Sequence, residues 1–246
     1  YLLEKSQLSG VRNIRVFLRV TFQFVSNGKV AALLAETGIS NRTWAKYRDR
    51  LQNVIDLTIE RMKESGDLML GGPRIVVEID ECHLFTPKYH RGNPPSGSAL
   101  WVVGIIERDN PEGRRCIFLL TENRSAKVLE PFIKKWVRPG SILISDEWKG
   151  YTKDLDQFYT RATVCHKREF AHHAVVDGLE LSVNTNHIEK EWRDVWKVLM
   201  SRDMSSFTPQ LNKEIFRHLF LAGKPVEQHP YIMLQKMAEL VKKTDS

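Results

Sequence analysis

Between Arg74 and Met200, short β-branched and apolar runs recur at strand length, and two of them lead into carboxylates. This patterning restricts the fold more than any other feature of the chain. Ile75-Val76-Val77-Glu78-Ile79-Asp80 reads as a strand ending in acidic residues, and Leu100 to Glu107 and Arg115 to Thr121 read as two more. A polar, Pro/Gly-rich hairpin loop, His90 to Gly97, separates the first two. Ser125 to Trp136 switches to helical spacing, with Val128, Leu129, Phe132, Ile133 and Trp136 on one stripe, and Pro139-Gly140 stops it. Ser141 to Ser145 is a fourth strand running into Asp146. Arg161 to Cys165 is a candidate fifth strand, and Asn186 to Met200 is a helix.

Three strands, a helix, a strand, a helix, a strand and a final helix is the element order of an RNase H-like fold. The predicted class is therefore α/β, with a mixed five-stranded sheet and flanking helices. Before it, residues 1–73 read as all-helical. Val11, Ile14, Phe17, Leu18, Phe22 and Val25 recur at helical spacing up to Asn27-Gly28, and Val30 to Glu36 forms a short second helix. After the turn Thr37-Gly38-Ile39-Ser40, a third helix carries Trp44, Tyr47, Leu51, Val54, Ile55, Thr58 and Met62 as a stripe up to Gly66. A short helix, a Gly-containing turn and a helix bearing Arg42, Lys46 and Arg48 resembles a DNA-binding helix-turn-helix. A helical hairpin with solvated arginines is the alternative. Residues 201–246 read as a C-terminal extension with two amphipathic helices, near Gln210 to Leu221 and Tyr231 to Lys243. The domains expected are thus 1–73, 74–200 and 201–246.

Composition excludes several classes. Hydrophobic residues are 42% and charged residues 27% of the 246, a globular balance. Cys82, Cys116 and Cys165 are too scattered for a disulfide framework or a paired zinc motif, which points to a reducing, intracellular setting. No apolar run reaches the roughly 18 residues of a membrane span, so no membrane partner is expected. The chain opens on Tyr1 instead of Met, so a fragment of a longer protein is the expectation. A formal charge of +7 permits an anionic partner without requiring one.

Asp80, Asp146 and Glu189 are the candidate metal ligands. Phosphodiester cleavage needs an activated nucleophile and a stabilised leaving oxygen, and two Mg²⁺ ions about 3.5–4 Å apart provide both. Such ions are held by a few carboxylates converging from rigid elements. Asp80 and Asp146 each follow an apolar strand, and in an RNase H-like sheet the fourth strand lies beside the first. Each also has a bland reading as a solvated strand end. Glu189 has another, since Asn186 three residues earlier resembles an N-cap with a capping-box partner. Trp192 and Trp196 share the Glu189 face and are expected to press the helix onto the sheet. Lys88, His90, Arg91 and Lys149 are candidate phosphate contacts, and Arg124 either binds phosphate or pairs with an acid. His187 reads equally well as a solvated residue of a first helical turn.

Five separated segments, in order, resemble the Merlin superfamily of DNA transposases and their bacterial insertion-sequence relatives. They are Glu78-Ile-Asp-Glu-Cys-His-Leu-Phe followed by Lys88-Tyr-His-Arg-Gly92, then Trp101-Val-Val-Gly-Ile-Ile-Glu-Arg108, then Arg124-Ser-Ala. The fourth and fifth are Pro139-Gly-Ser-Ile-Leu-Ile-Ser-Asp-Glu-Trp-Lys-Gly-Tyr151 and Asn184-Thr-Asn-His-Ile-Glu-Lys-Glu-Trp192. The resemblance implies a cut-and-paste transposase whose DDE triad is Asp80, Asp146 and Glu189, with two Mg²⁺ per site and Mn²⁺ as a substitute. It implies that His166, after the fifth strand, sits near the carboxylates and contacts phosphate or a metal-bound water. Double-stranded DNA, as terminal inverted repeats and target, is the implied partner, handled by a homodimer or higher synaptic assembly, in the nucleus if the host is eukaryotic. Some bacterial relatives carry Asn at the third position, which makes Asn184 and Asn186 fallback candidates. The Cys-rich zinc module of many members is absent here, and Cys82 is an unusual neighbour for the first acidic pair. The competing functions are a non-catalytic, domesticated DNA-binding regulator and another RNase H-like nuclease.

Overall fold

The computed structural model describes residues 11, 13–85, 100–108, 115–146, 153–164, 171–200 and 206–242. The chain divides into two units, residues 66–211 and residues 1–65 with 212–246.

The larger unit is built on a five-stranded sheet of order β3-β2-β1-β4-β5. Its strands are β1 (Val76–Phe85), β2 (Leu100–Glu107), β3 (Cys116–Thr121), β4 (Ile142–Asp146) and β5 (Thr160–Val164). The first three pair antiparallel, and β4 pairs parallel to both β1 and β5. With its flanking helices this mixed sheet is the RNase H-like arrangement. Strand β2 is an interior strand buried along almost its whole length, which is why it reads as a continuous apolar run. Helix α4 (Ala126–Trp136) buries Leu129, Phe132, Ile133 and Trp136. Its exit is laced to the preceding segment by Leu70 N–H to Trp136 O (2.8 Å) and Arg138 N–H to Leu70 O (2.9 Å). Helix α5 (Asn186–Met200) packs on β1 and β2.

Three features depart from the expected layout. Strand β1 does not stop at Asp80 but continues to Phe85, so Asp80 lies inside the ladder, opposite Gly104. The helix expected between β4 and β5 is, among the described residues, a single 3₁₀ turn at Lys153–Gln157. A hairpin of β6 (His172–Val176) and β7 (Leu179–Val183) precedes α5. Its turn residues Asp177 and Gly178 have φ of 50° and 73°, the left-handed pair that a two-residue hairpin loop requires. Ala174, Val176, Leu179 and Leu181 pack on Val76, Ile142, Ile144 and Val164, so the hairpin closes an apolar cluster at the β1–β4–β5 side of the sheet.

The smaller unit is all-helical: α1 (Ile14–Val25), α2 (Val30–Thr37), α3 (Asn41–Ser65) and α7 (His229–Lys242), with the wide turn Arg217–Leu221 that continues α6 (Phe207–Phe216). The order of N-terminal helices fits a helix-turn-helix-like region. Asn13 caps α1 through bonds from the N–H groups of Arg15 and Val16, and Gly38 ends α2 in the left-handed conformation. The buried face of α1 is Phe17, Val20, Phe24 and Val25, while Ile14 is half exposed, so the expected stripe is rotated. Phe17 meets Tyr47 of α3 edge to face at 5.2 Å between ring centroids. Met233, Met237 and Leu240 of α7 are buried, and α7 packs against both α1 and α3. Among the described residues no helix is long and apolar enough to cross a membrane.

Candidate active site

The site begins with the parallel pairing of β1 and β4. Val76, Val77 and Glu78 align with Ile142, Leu143 and Ile144, and continuing this register by two residues sets Asp80 beside Asp146. Both are partly buried, so neither is the solvated strand end of the bland reading. On the other side of β1, Asp80 pairs with Gly104 of β2. A Cβ built on Gly104 would lie 2.5 Å from Trp192 Cη2 and 2.8 Å from Ile188 Cδ1. The missing side chain at Gly104 therefore makes the space into which α5 settles.

Once seated, α5 reaches Asp80 directly. Trp192 Nε1 donates to Asp80 Oδ2 at 2.6 Å, and its ring packs near Phe118 with centroids 6.0 Å apart. Trp196 is 47% exposed and does not press on the sheet as expected, so Trp192 carries that contact. Glu189 lies on an exposed part of the first turn, and its Oε1 accepts from Thr185 Oγ1 at 2.5 Å. The helix begins at Asn186, whose N–H is taken by Asn184 Oδ1 at 3.2 Å, so the Asn186–Glu189 capping box is not made.

Burial raises the Asp80 carboxyl to about 6, and the charges of Asp146 and Glu189 push in the same direction. The Trp192 indole and the Glu81 N–H oppose the rise by bonding the ionised form. Asp80, Asp146 and Glu189, from β1, β4 and α5, thus share one electrostatic neighbourhood. The Cys82 thiol is pushed up to about 11, by burial and then by Asp80, so at neutral pH it is a neutral side chain and not a nucleophile.

Among the described residues, no three His, Cys, Asp or Glu side chains converge as a metal-holding cluster. One oxygen of Asp80 faces the Trp192 indole and one of Glu189 faces Thr185. The chemistry of the donors nonetheless fits a hard divalent cation. They are all carboxylate oxygens, and their mutual repulsion around a buried Asp80 is what a cation would relieve.

Glu78, one of the acids near the end of the first strand run, is completely buried. Its carboxylate contacts Arg108 and His187 and accepts from two backbone N–H groups of α5. His187 is accordingly not the solvated residue that one reading expected. The signal for this role was an acid inside an apolar strand, with an arginine just past the next strand. Arg124 sits 3.8 Å from Glu81 Oε2 and stacks over Trp101 at 4.0 Å, which is the acid-pairing reading of that residue. Arg42 and Lys46 are exposed at the start of α3, while Arg48 pairs with Asp49 at 2.7 Å. Lys88, His90, Arg91, Lys149 and His166 lie outside the described residues.

The ISXO2-like transposase domain family matches residues 69–199, more than half of the chain. The chain belongs to this family. The match covers all five strands of the main sheet, α4 and α5, and so takes in Asp80, Asp146 and Glu189. The transposase domain is a member of the DDE-transposase superfamily. The chain is also similar to a solved Drosophila P element transposase strand transfer complex, at 13% identity, covering 96% of this chain and 67% of that one, with a TM-score of 0.34. A second is a pre-cleavage Mos1 transpososome, at 12% identity, covering 85% and 69%, with a TM-score of 0.21. No curated protein matches the chain.

Proposed function

We propose that the chain is a DNA transposase that cleaves transposon ends and joins them to target DNA, using Asp80, Asp146 and Glu189. The observation that carries this is the shared neighbourhood of three acids from β1, β4 and α5 inside an ISXO2-like transposase domain. Asp80, Asp146 and Glu189 would hold two Mg²⁺ ions, or Mn²⁺ in their place. When bound, the ions supply activation of the attacking oxygen and stabilisation of the leaving one. The chain's own contribution is to hold Asp80 in a fixed rotamer through Trp192 and to keep one side of the site dry with Phe118 and Ile188. Merlin membership is the finer placement. Recognition of terminal inverted repeats by the helices of residues 1–73, assembly as a dimer or larger synaptic complex on paired ends, and action in the nucleus of a eukaryotic host complete the reading. His166, Lys88, Arg91 and Lys149 are its proposed contacts with phosphate.

The test is nicking of supercoiled plasmid in Mg²⁺ or Mn²⁺, with Asp80→Asn, Asp146→Asn and Glu189→Gln alongside. Each variant should stay folded and lose activity by roughly a hundredfold or more, the scale on which loss of a transition-state charge stabiliser acts. Equal activity in wild type and all three variants, repeated on terminal-repeat DNA, overturns the assignment.

A second measurement addresses the helical region. Replacing the exposed Arg42 and Lys46 together by alanine is expected to weaken duplex binding at every sequence. The slope of log K against log salt should become shallower by roughly two, about 0.9 per phosphate contact. An unchanged slope removes these residues from the DNA surface.

A further inference from the structure

We infer that Glu78 is a positioning residue, which anchors the N-terminus of α5 to β1 and so sets where Glu189 and Trp192 stand relative to Asp80. The inference rests on the proposed role of Asp80 and Glu189, but its geometric part can be judged without it.

The N-terminus of a helix leaves backbone N–H groups without intrahelical partners and carries a partial positive charge. In α5 each of the first four is accounted for. Asn186 N–H goes to Asn184 Oδ1 and Glu189 N–H to Thr185 O. The middle two, His187 N–H at 2.9 Å and Ile188 N–H at 3.0 Å, both go to Glu78 Oε2. The other oxygen, Oε1, lies 2.7 Å from His187 Nδ1 and 2.7 Å from Arg108 Nε. Arg108 in turn donates to the carbonyls of Ser182 and Asn184, both at 2.8 Å, which fixes the end of β7 and the turn that launches α5.

A fully buried carboxylate is tolerated only when paired and hydrogen-bonded. Glu78 meets that condition through a cation and a helix end. Both oxygens are thereby engaged. Glu78 and Asp80 are two residues apart on one strand, so their side chains leave the same face roughly 7 Å from each other. One strand segment therefore presents a proposed metal ligand and, one repeat earlier, the clamp for the helix that carries another. The helix is tied at its first turn by Glu78 and at its second by the Trp192–Asp80 bond, so it can neither slide nor roll without breaking one of them.

The test compares wild type with Glu78→Gln and with the milder His187→Ala, which keeps the carboxylate but removes the imidazole that helps hold it against the first turn of α5. The readouts are amide exchange at His187 and Ile188, the indole N–H resonance of Trp192 (assigned with Trp192→Phe), and Mn²⁺ titration. For a folded Glu78→Gln, exchange should speed up at least tenfold at both amides. The Trp192 indole signal should move upfield as its bond to Asp80 lengthens, and Mn²⁺ should bind about 10–100-fold more weakly, the usual cost of losing an outer-shell partner. His187→Ala should shift the same three readouts in the same direction by a smaller factor, and it serves as the test if Glu78→Gln does not fold. Unchanged amide exchange and an unchanged indole signal in either folded variant overturn the anchor. Altered exchange and indole signal with unchanged Mn²⁺ binding overturn the positioning role and leave only a helix cap. If Asp80→Asn and Glu189→Gln also leave Mn²⁺ binding and nicking untouched, the proposed function fails instead.

Discussion

Asp80→Asn is expected to stabilise the metal-free protein at neutral pH while removing its metal-dependent cleavage. The Asp80 carboxyl stands at about 6 against an ordinary 3.8, chiefly through burial. A carboxyl raised on folding binds its proton more tightly in the native state than in the unfolded chain. Its penalty is therefore absent below the ordinary value, grows as pH rises from about 4 to 6, and is fully present above. The rise amounts to at most roughly 3 kcal/mol. Asparagine keeps an oxygen to accept from Trp192 Nε1 and carries no charge to bury. In EDTA at pH 8 the variant should melt several degrees above wild type, since about 1 kcal/mol moves a domain of this size by roughly 2–4 °C. At pH 4 the two should coincide. Saturating Mn²⁺ should raise wild type at pH 8 and leave the variant where it was. Equal melting temperatures at pH 8 without metal would show that Asp80 carries no burial penalty.

The second large effect is expected at Gly104. Its Cα lies opposite Asp80, and an added methyl group would meet the far edge of the Trp192 indole and the end of Ile188. Gly104→Ala should cost roughly 1–3 kcal/mol from overpacking. It should also push α5 away from β1, so cleavage should fall more than stability does. Phenylalanine lacks the outer ring of the indole, so a double-mutant cycle separates the causes. Gly104→Ala should cost distinctly less stability in a Trp192→Phe background, while cleavage stays low because the bond to Asp80 is gone. An equal cost in both backgrounds would mean that the indole is not what fills the space above Gly104.

The two predictions rest on contacts that differ in how far they could be read from the chain. Leu100 to Glu107 and Asn186 to Met200 were legible to the residue, because a long apolar run and a strongly amphipathic stretch leave few alternatives. Strand β1 was read five residues short. His83 and the acids broke the apolar pattern, and only pairing with β2 shows that the ladder continues through them. The β6–β7 hairpin was missed although Asp177-Gly178, flanked by Val175-Val176 and Leu179, is a strong hairpin signal.

The capping of α5 shows the limit more sharply. Asn186 and Glu189 have the spacing of a local cap, and local spacing is all that a one-dimensional reading can weigh. The structure instead caps the helix with Glu78, 109 residues before His187. Nothing in the neighbourhood of either residue announces the other.

Local patterning by itself determined most of the strands of the main sheet and the long helices, because side-chain periodicity and turn chemistry act over a few residues. It also showed that Asp80 and Asp146 each follow an apolar run. Only the tertiary structure decided that the two strands are neighbours, that Gly104 opens a seat for Trp192, and that Glu78 belongs to a helix terminus. Those outcomes depend on burial, since a carboxylate in an apolar sheet must find donors, and the nearest donors in space come from elements far away along the chain.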